Sequence, residues 1–242
     1  MAISILLGTA VAVWWISFPF ASVISAASFV IAAFLIYKAS PSVFSGPQLL
    51  LAASLPVFSF SVPFSLLSLA LVLFGIAMLA FFRDADNQDL APPFMARIRF
   101  LLLLALILWA IFAFRLGSFH NSVTVLSAAA IVVAVVGYAG FKTASAENIL
   151  AGRVDDGLVR AVVGFAAALV GGELFLLLLF LPFAAYVSGI LLAVSMWVFF
   201  EVMAAAKNVP FALARASRAA ILGFTTWVAL VLTAPWPSGI VR

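Results

Sequence analysis

MAISILLGTAVAVWWISFPFASVISAASFVIAAFLIY, residues 1–37, runs without a single charged side chain, and after Lys38 residues 39–82 do the same. A membrane-crossing helix needs about 20 predominantly apolar residues, so each run is long enough for two passes. Across all 242 residues, 67% are hydrophobic and 8% are charged, whereas a soluble domain carries roughly 25% charge. So much apolar surface exceeds what a core of this size hides, and the surplus must face lipid. The longest polar stretch, residues 83–99, is too short to fold alone. The composition therefore predicts an all-α, polytopic transmembrane helical bundle. Residues 1–242 read as a single integral membrane domain with no soluble domain. The opening Met1-Ala2-Ile3-Ser4 lacks the basic flank of a cleavable signal peptide and reads as the first helix.

Prolines divide the apolar runs. Five of the 11 are followed by Phe, namely Pro19, Pro63, Pro93, Pro182 and Pro210. Each sits where an apolar run resumes, which suits a helix start, since the missing N–H is not needed in the first turn. Around Pro19, Pro63 and Pro182 the Pro-Phe pair joins two apolar runs by a very short turn, so the bundle reads as successive hairpins. Reading the spans from these breaks gives about nine helices, near 2–17, 20–38, 47–61, 63–82, 98–116, 121–141, 158–181, 183–206 and 211–234. Pro56 interrupts the third, and treating 47–82 as one broken span gives eight. Residues 83–99 and 142–157 read as longer inner loops able to form short interfacial helices.

Basic residues set the orientation, because cytoplasmic loops carry the excess of Lys and Arg. With the N-terminus in the cytoplasm and the C-terminus outside, the inner side holds Lys38, Arg83, Arg97, Arg99, Lys142, Arg153, Arg160, Lys207, Arg215 and Arg218. Only Arg115 and Arg242 fall outside. The eight-helix alternative moves Lys38 and the N-terminus outside. A prokaryotic inner membrane is the expected location. Arg215 and Arg218 are three apart, hence on one helical face, and are expected at the headgroup level against anionic lipid. The net charge of +4 follows from these inner-face residues, so membrane lipids and not nucleic acid are the expected partners.

Two carboxylates interrupt apolar runs. Glu173, in Gly171-Gly172-Glu173, lies nine residues before the turn at Pro182, roughly 13 Å below the outer surface. Ionised side chains at that depth cost at least about 2.5 kcal/mol, so the carboxyl needs a proton, a partner or water. It is the candidate substrate or proton site; a hydrogen bond between helices brought close by the glycines is the structural alternative. Glu201 lies roughly 27 Å down its helix, near the inner interface, and Arg160 starts the preceding helix at a similar depth. A structural Glu201–Arg160 ion pair is the expectation there. The two glutamates differ in depth by roughly 14 Å, too far for joint acid–base work. Small residues in 121–172, among them Gly137, Gly140, Gly164, Gly171 and Gly172, predict close helix approach.

Other chemistries fare worse. With no cysteine and one histidine, His120, thiolate catalysis, bis-histidine haem and multi-histidine zinc sites are excluded. His120 reads as a solvated outer-turn residue. Asp84, Asp86 and Asp89 could hold magnesium against a lipid diphosphate, but they lack the i, i+4 spacing and second cluster of intramembrane prenyltransferases. Asp155-Asp156-Gly157-Leu158-Val159-Arg160 shares only part of the CDP-alcohol phosphotransferase motif; the spacing is one residue short and the downstream aspartates are missing. Asp156 and Gly157 read instead as a helix cap. No metal and no cofactor is expected.

The leading expectation is a non-enzymatic scaffold or accessory subunit of a membrane assembly, with membrane-protein partners or further copies of itself. The alternative is a small transporter or lipid-handling protein using Glu173. Because the chain has no native cysteine, one introduced near Met1 reports topology cleanly. It should label from the cytoplasmic side; labelling from outside would overturn the nine-helix arrangement.

Overall fold

A computed structural model describes residues 45–61, 92–119, 121–150, 157–207 and 212–234. These residues are helical throughout apart from short turns, with no strand among them. Six helices are seen: α1 Ser45–Ser61, α2 Pro92–Gly117, α3 Ser122–Leu150, α4 Gly157–Leu179, α5 Ala185–Lys207 and α6 Ala212–Thr233. The last five each contain a segment long and apolar enough to cross a membrane. In hydrocarbon, no water satisfies a free backbone N–H or C=O, which is why such a sequence forms helices. The expected helices 2–17, 20–38 and 63–82 lie outside the described residues, as do His120, Asp84, Asp86, Asp89, Asp155 and Asp156.

The chain divides into two compact units, Met1–Leu108 and Trp109–Arg242. In the first, α1 is helical through Pro56, where the sequence suggested a break. Its 17 residues extend only about 25 Å, short of the roughly 30 Å hydrocarbon core. Gln48, Leu51, Ala52 and Ser54 are buried, and Ser54 Oγ donates to the Leu51 carbonyl at 2.7 Å. The first part of α2 buries Met95, Ile98, Leu102 and Ala105, spaced to form one stripe along the helix.

Two helices run longer than the hydropathy suggests. The α2 helix starts at Pro92 instead of 98, and α3 continues to Leu150 instead of stopping at 141. Segments 92–99 and 142–150 are therefore extensions of transmembrane helices and not separate interfacial ones. Charge marks where a helix leaves hydrocarbon, not where it ends. Lys142, Ala144 and Ala146 are good helix formers, and no Gly or Pro intervenes before Gly152. At the other end, Pro92 and Pro93 occupy the first turn, where proline is tolerated.

The second unit is built on the α3–α4 hairpin, its most extensive pairing. Glycines set the separation. A Cβ on Gly140 would fall 2.8 Å from Ala167 Cβ, and one on Gly164 would fall 3.0 Å from the Gly137 carbonyl oxygen. Further along, a Cβ on Gly171 would lie 2.9 Å from Val136 Cγ1. Residue numbers rise on one helix as they fall on the other, so the two are antiparallel. The close approach that the small residues predict is thus realised. Helix α5 packs on both α3 and α4, and α6 packs on α5. Gly223 on α6 faces Val194 and Val198 on α5. Trp227 Nε1 donates to Ser195 Oγ at 2.8 Å, and that hydroxyl donates to the Leu191 carbonyl at 2.8 Å.

Turns at one end are tight. Asn121 caps α3, its Oδ1 accepting from Val123 N at 3.1 Å and its carbonyl from Val125 N at 3.0 Å. Between α4 and α5, Leu181 N donates to the Leu178 carbonyl at 3.2 Å, and Ser188 N to the Ala184 carbonyl at 3.1 Å. The Leu181-Pro182-Phe183-Ala184 segment is therefore the short hairpin connector its sequence suggests. Near this end Phe114 of α2 stacks on the buried Phe175 of α4, ring centroids 4.7 Å apart. A Cβ on Gly189 of α5 would fall 2.8 Å from the Ile111 backbone nitrogen.

Backbone cannot yield as a side-chain tip can. Gly189→Ala and Gly140→Ala should each destabilise the protein by about 1–3 kcal/mol through overpacking. Gly157→Ala, whose Cβ would meet nothing nearer than 3.8 Å, should stay within about 0.5 kcal/mol of wild type. Reversible unfolding in mixed detergent micelles measures all three.

Candidate functional site

The hairpin geometry decides where Glu173 points. Gly171 and Gly172 lie against Val136 and Val133 of α3, so the helix side they occupy is committed to α3. One residue further on, Glu173 turns away and is exposed. It shares its stripe with Val162, Phe165, Leu169, Leu176 and Phe180, all of them exposed, Phe180 at 86%. The steps of three and four residues place Val162, Phe165, Leu169, Glu173 and Leu176 on one face of α4, with Phe180 in the turn that follows it. Glu173 makes no hydrogen bond or ion pair among the described residues. A lone carboxyl thus sits within an outward apolar stripe, six residues before the end of α4, or about 9 Å along the axis.

Near the same end of α2 stands a residue that the sequence marks only as an exception to the charge bias. Arg115 is exposed two residues before Gly117, the last residue of α2. Its neighbours Phe114 and Gly117 touch α4, Phe114 on Phe175 and Gly117 lying against Leu179 and Phe175. A cation in the last turn interacts favourably with the helix dipole. Arg115 too makes no hydrogen bond or ion pair among the described residues.

Glu201 sits at the opposite end and in the opposite environment. It is buried, 6% exposed, six residues before the end of α5, about 9 Å along the axis. Arg160 lies three residues into α4, about 4.5 Å along, and is half-buried with its guanidinium 4.9 Å from the Phe141 ring centroid. Lys142 Nζ lies 5.8 Å from the Tyr138 ring centroid. Cations over aromatic faces gain from the ring quadrupole, and the pairs draw two of the basic residues onto the end of the hairpin. Glu173 and Glu201 are not brought together. On α6, Arg218 is exposed; Arg215 precedes it by one turn.

Among the described residues no group of three or more His, Cys, Asp or Glu is placed to hold a metal ion. The Trp227–Ser195 hydrogen bond was not foreseen; a Trp and a Ser 32 positions apart carry no local signal of contact. No protein-family model matches the chain, nor does any curated protein or solved structure.

Arg160 and Glu201 lie near the same end of neighbouring helices, and their pairing is directly testable. In a double-mutant cycle of Arg160→Ala and Glu201→Gln, the pair should show a coupling of about 0.5–3 kcal/mol in unfolding free energy. Strictly additive single effects would remove the pairing.

Proposed function

We propose that this chain is one integral membrane domain acting as a non-enzymatic structural subunit of a membrane assembly, held to its neighbours through the outward face of α4. The observation that carries the reading is Glu173. An ionised side chain facing lipid costs at least about 2.5 kcal/mol, and Glu173 is surrounded on that face by Phe165, Leu169, Leu176 and Phe180. A neighbouring helix that supplies a polar partner removes the cost and covers the apolar stripe at the same time. In membranes, polar residues on otherwise apolar helix faces commonly serve as interhelical glue.

The transporter alternative requires Glu173 to line a cavity. The α3–α4 packing turns it outward, so nothing among the described residues favours that reading. The orientation read from the sequence stays part of the proposal. Helices α3 and α5 end, and α4 and α6 begin, at the end that carries Lys142, Arg160, Lys207 and Arg218. Placing that end at the cytoplasm of a prokaryotic inner membrane satisfies the excess of basic residues.

Native mass spectrometry of the protein released gently with its lipids tests the subunit reading. The expected particle is heavier than one 25.6 kDa chain plus lipid, with a fixed stoichiometry of chains. A single chain at every detergent and lipid condition that preserves helix content would end it.

A further inference from the structure

Glu173 and Arg115 are opposite charges, both exposed and both without a hydrogen bond or ion pair among the described residues. They also lie near the same end of their helices. The ends of α2 and α4 meet where Phe114 lies on Phe175 and Gly117 lies against Leu179. Measured from those ends, Arg115 lies about 3 Å in and Glu173 about 9 Å in. A long arginine side chain spans a difference of that size, carrying its charge along an apolar surface.

We infer that the outward face of α4 packs against a second copy of this chain, with the Glu173 carboxylate of one copy accepting hydrogen bonds from the Arg115 guanidinium of the other. This rests on the subunit reading above and names the neighbour. Charge complementarity singles out a second copy. Copies inserted in the same orientation automatically present Arg115 within side-chain reach of the depth of Glu173. A lipid tail offers no such group. A paired Arg and carboxylate form charge-assisted hydrogen bonds, often bidentate. Phe165, Leu169, Leu176 and Phe180 around Glu173 supply the apolar surround that keeps water from the pair. The two halves of the contact come from neighbouring helices of each copy, so the arrangement closes either as a two-fold dimer with two such pairs or as a ring with one per interface.

The absence of native cysteine makes the test clean. The full chain carrying Arg115→Cys with one tag is co-expressed with the full chain carrying Glu173→Cys and a second tag, and native membranes are treated with a bis-maleimide reagent about as long as the Arg–Glu side-chain pair it replaces, since a direct disulfide demands closer Cα atoms. A crosslinked species bearing both tags is expected; Phe224→Cys, exposed on α6, should give none with Arg115→Cys. Independently, Arg115→Glu should weaken self-association of the otherwise wild-type chain by about tenfold, and the exchange Arg115→Glu with Glu173→Arg should restore it. No mixed-tag product overturns the inference. So does a crosslink confined to one chain when both cysteines are placed together. If Glu173→Cys instead links to a different protein present at fixed stoichiometry in the native particle, self-pairing fails while the subunit reading stands. A lone chain in the native particle removes both.

Discussion

Two helices in a bilayer gain almost nothing by hiding leucine from their surroundings, because lipid tails are as apolar as leucine. What holds them together is contact, and contact depends on how near the backbones come. In this protein the α3–α4 hairpin meets that constraint with glycine at Gly137, Gly140, Gly164 and Gly171. At each, a Cβ would press to 3.3 Å or nearer on a valine, an alanine or a backbone atom across the interface. The rest of the second unit follows from that hairpin. Helix α5 lies on both of its members, and α6 lies on α5. Because Gly171 and Gly172 must face α3, the next residue cannot. The exposure of Glu173 is a geometric consequence of the glycines before it, since consecutive residues on a helix are turned by about 100°.

Helix α6 leaves most of its surface uncovered, with only 11% of its membrane-spanning window buried, and its packing on α5 includes Gly223 and the Trp227–Ser195 hydrogen bond. Interhelical hydrogen bonds in membranes contribute modestly, about 0.6 kcal/mol on average, so this one orients α6 more than it anchors it. Its geometry is economical. The Ser195 hydroxyl accepts from the indole while donating to the Leu191 carbonyl of its own helix, which leaves neither polar group bare in hydrocarbon. At the basic end of the hairpin, aromatic faces serve a similar purpose, with Arg160 over Phe141 and Lys142 over Tyr138. Both cations thus lie against a ring where the helices approach the apolar zone.

The hydropathy of the chain made five spans legible, and their predicted limits near 158–181, 183–206 and 211–234 fall within two residues of α4, α5 and α6. The Pro-Phe turn at Pro182 and the start of α2 at Pro92 and Pro93 could be read because proline states a local backbone preference. Helix lengths were less legible. Hydropathy reports the solvent, and α3 carries on past Lys142 in a different solvent but the same helix. The rotation of each helix was not legible at all. Choosing the inward face of an amphipathic helix relies on contrast between apolar and polar sides, and α4 has almost none. Glu173 could therefore be placed in depth from the sequence but not in direction. Arg115 was visible only as a violation of the charge rule; its neighbourhood with α4 depends on Phe114 meeting Phe175, a contact across 61 positions.

Glu173 and Glu201 show how one hairpin treats the same side chain in two ways. Glu201 lies near the basic end of α5 and is buried within the fold, where the chain's own residues answer for it. Glu173 lies near the other end of α4, on a surface that the described fold leaves uncovered. A buried carboxylate is a matter of internal stability, and removing its surroundings harms the monomer. An outward one in hydrocarbon is a demand placed on whatever comes next to it. Folding alone has no need of such a residue at that position, since a leucine would match its neighbours Leu169 and Leu176 and avoid the penalty. In the subunit role proposed above, the neighbour at Glu173 is a specific helix rather than lipid, and the outward face of α4 is where it docks.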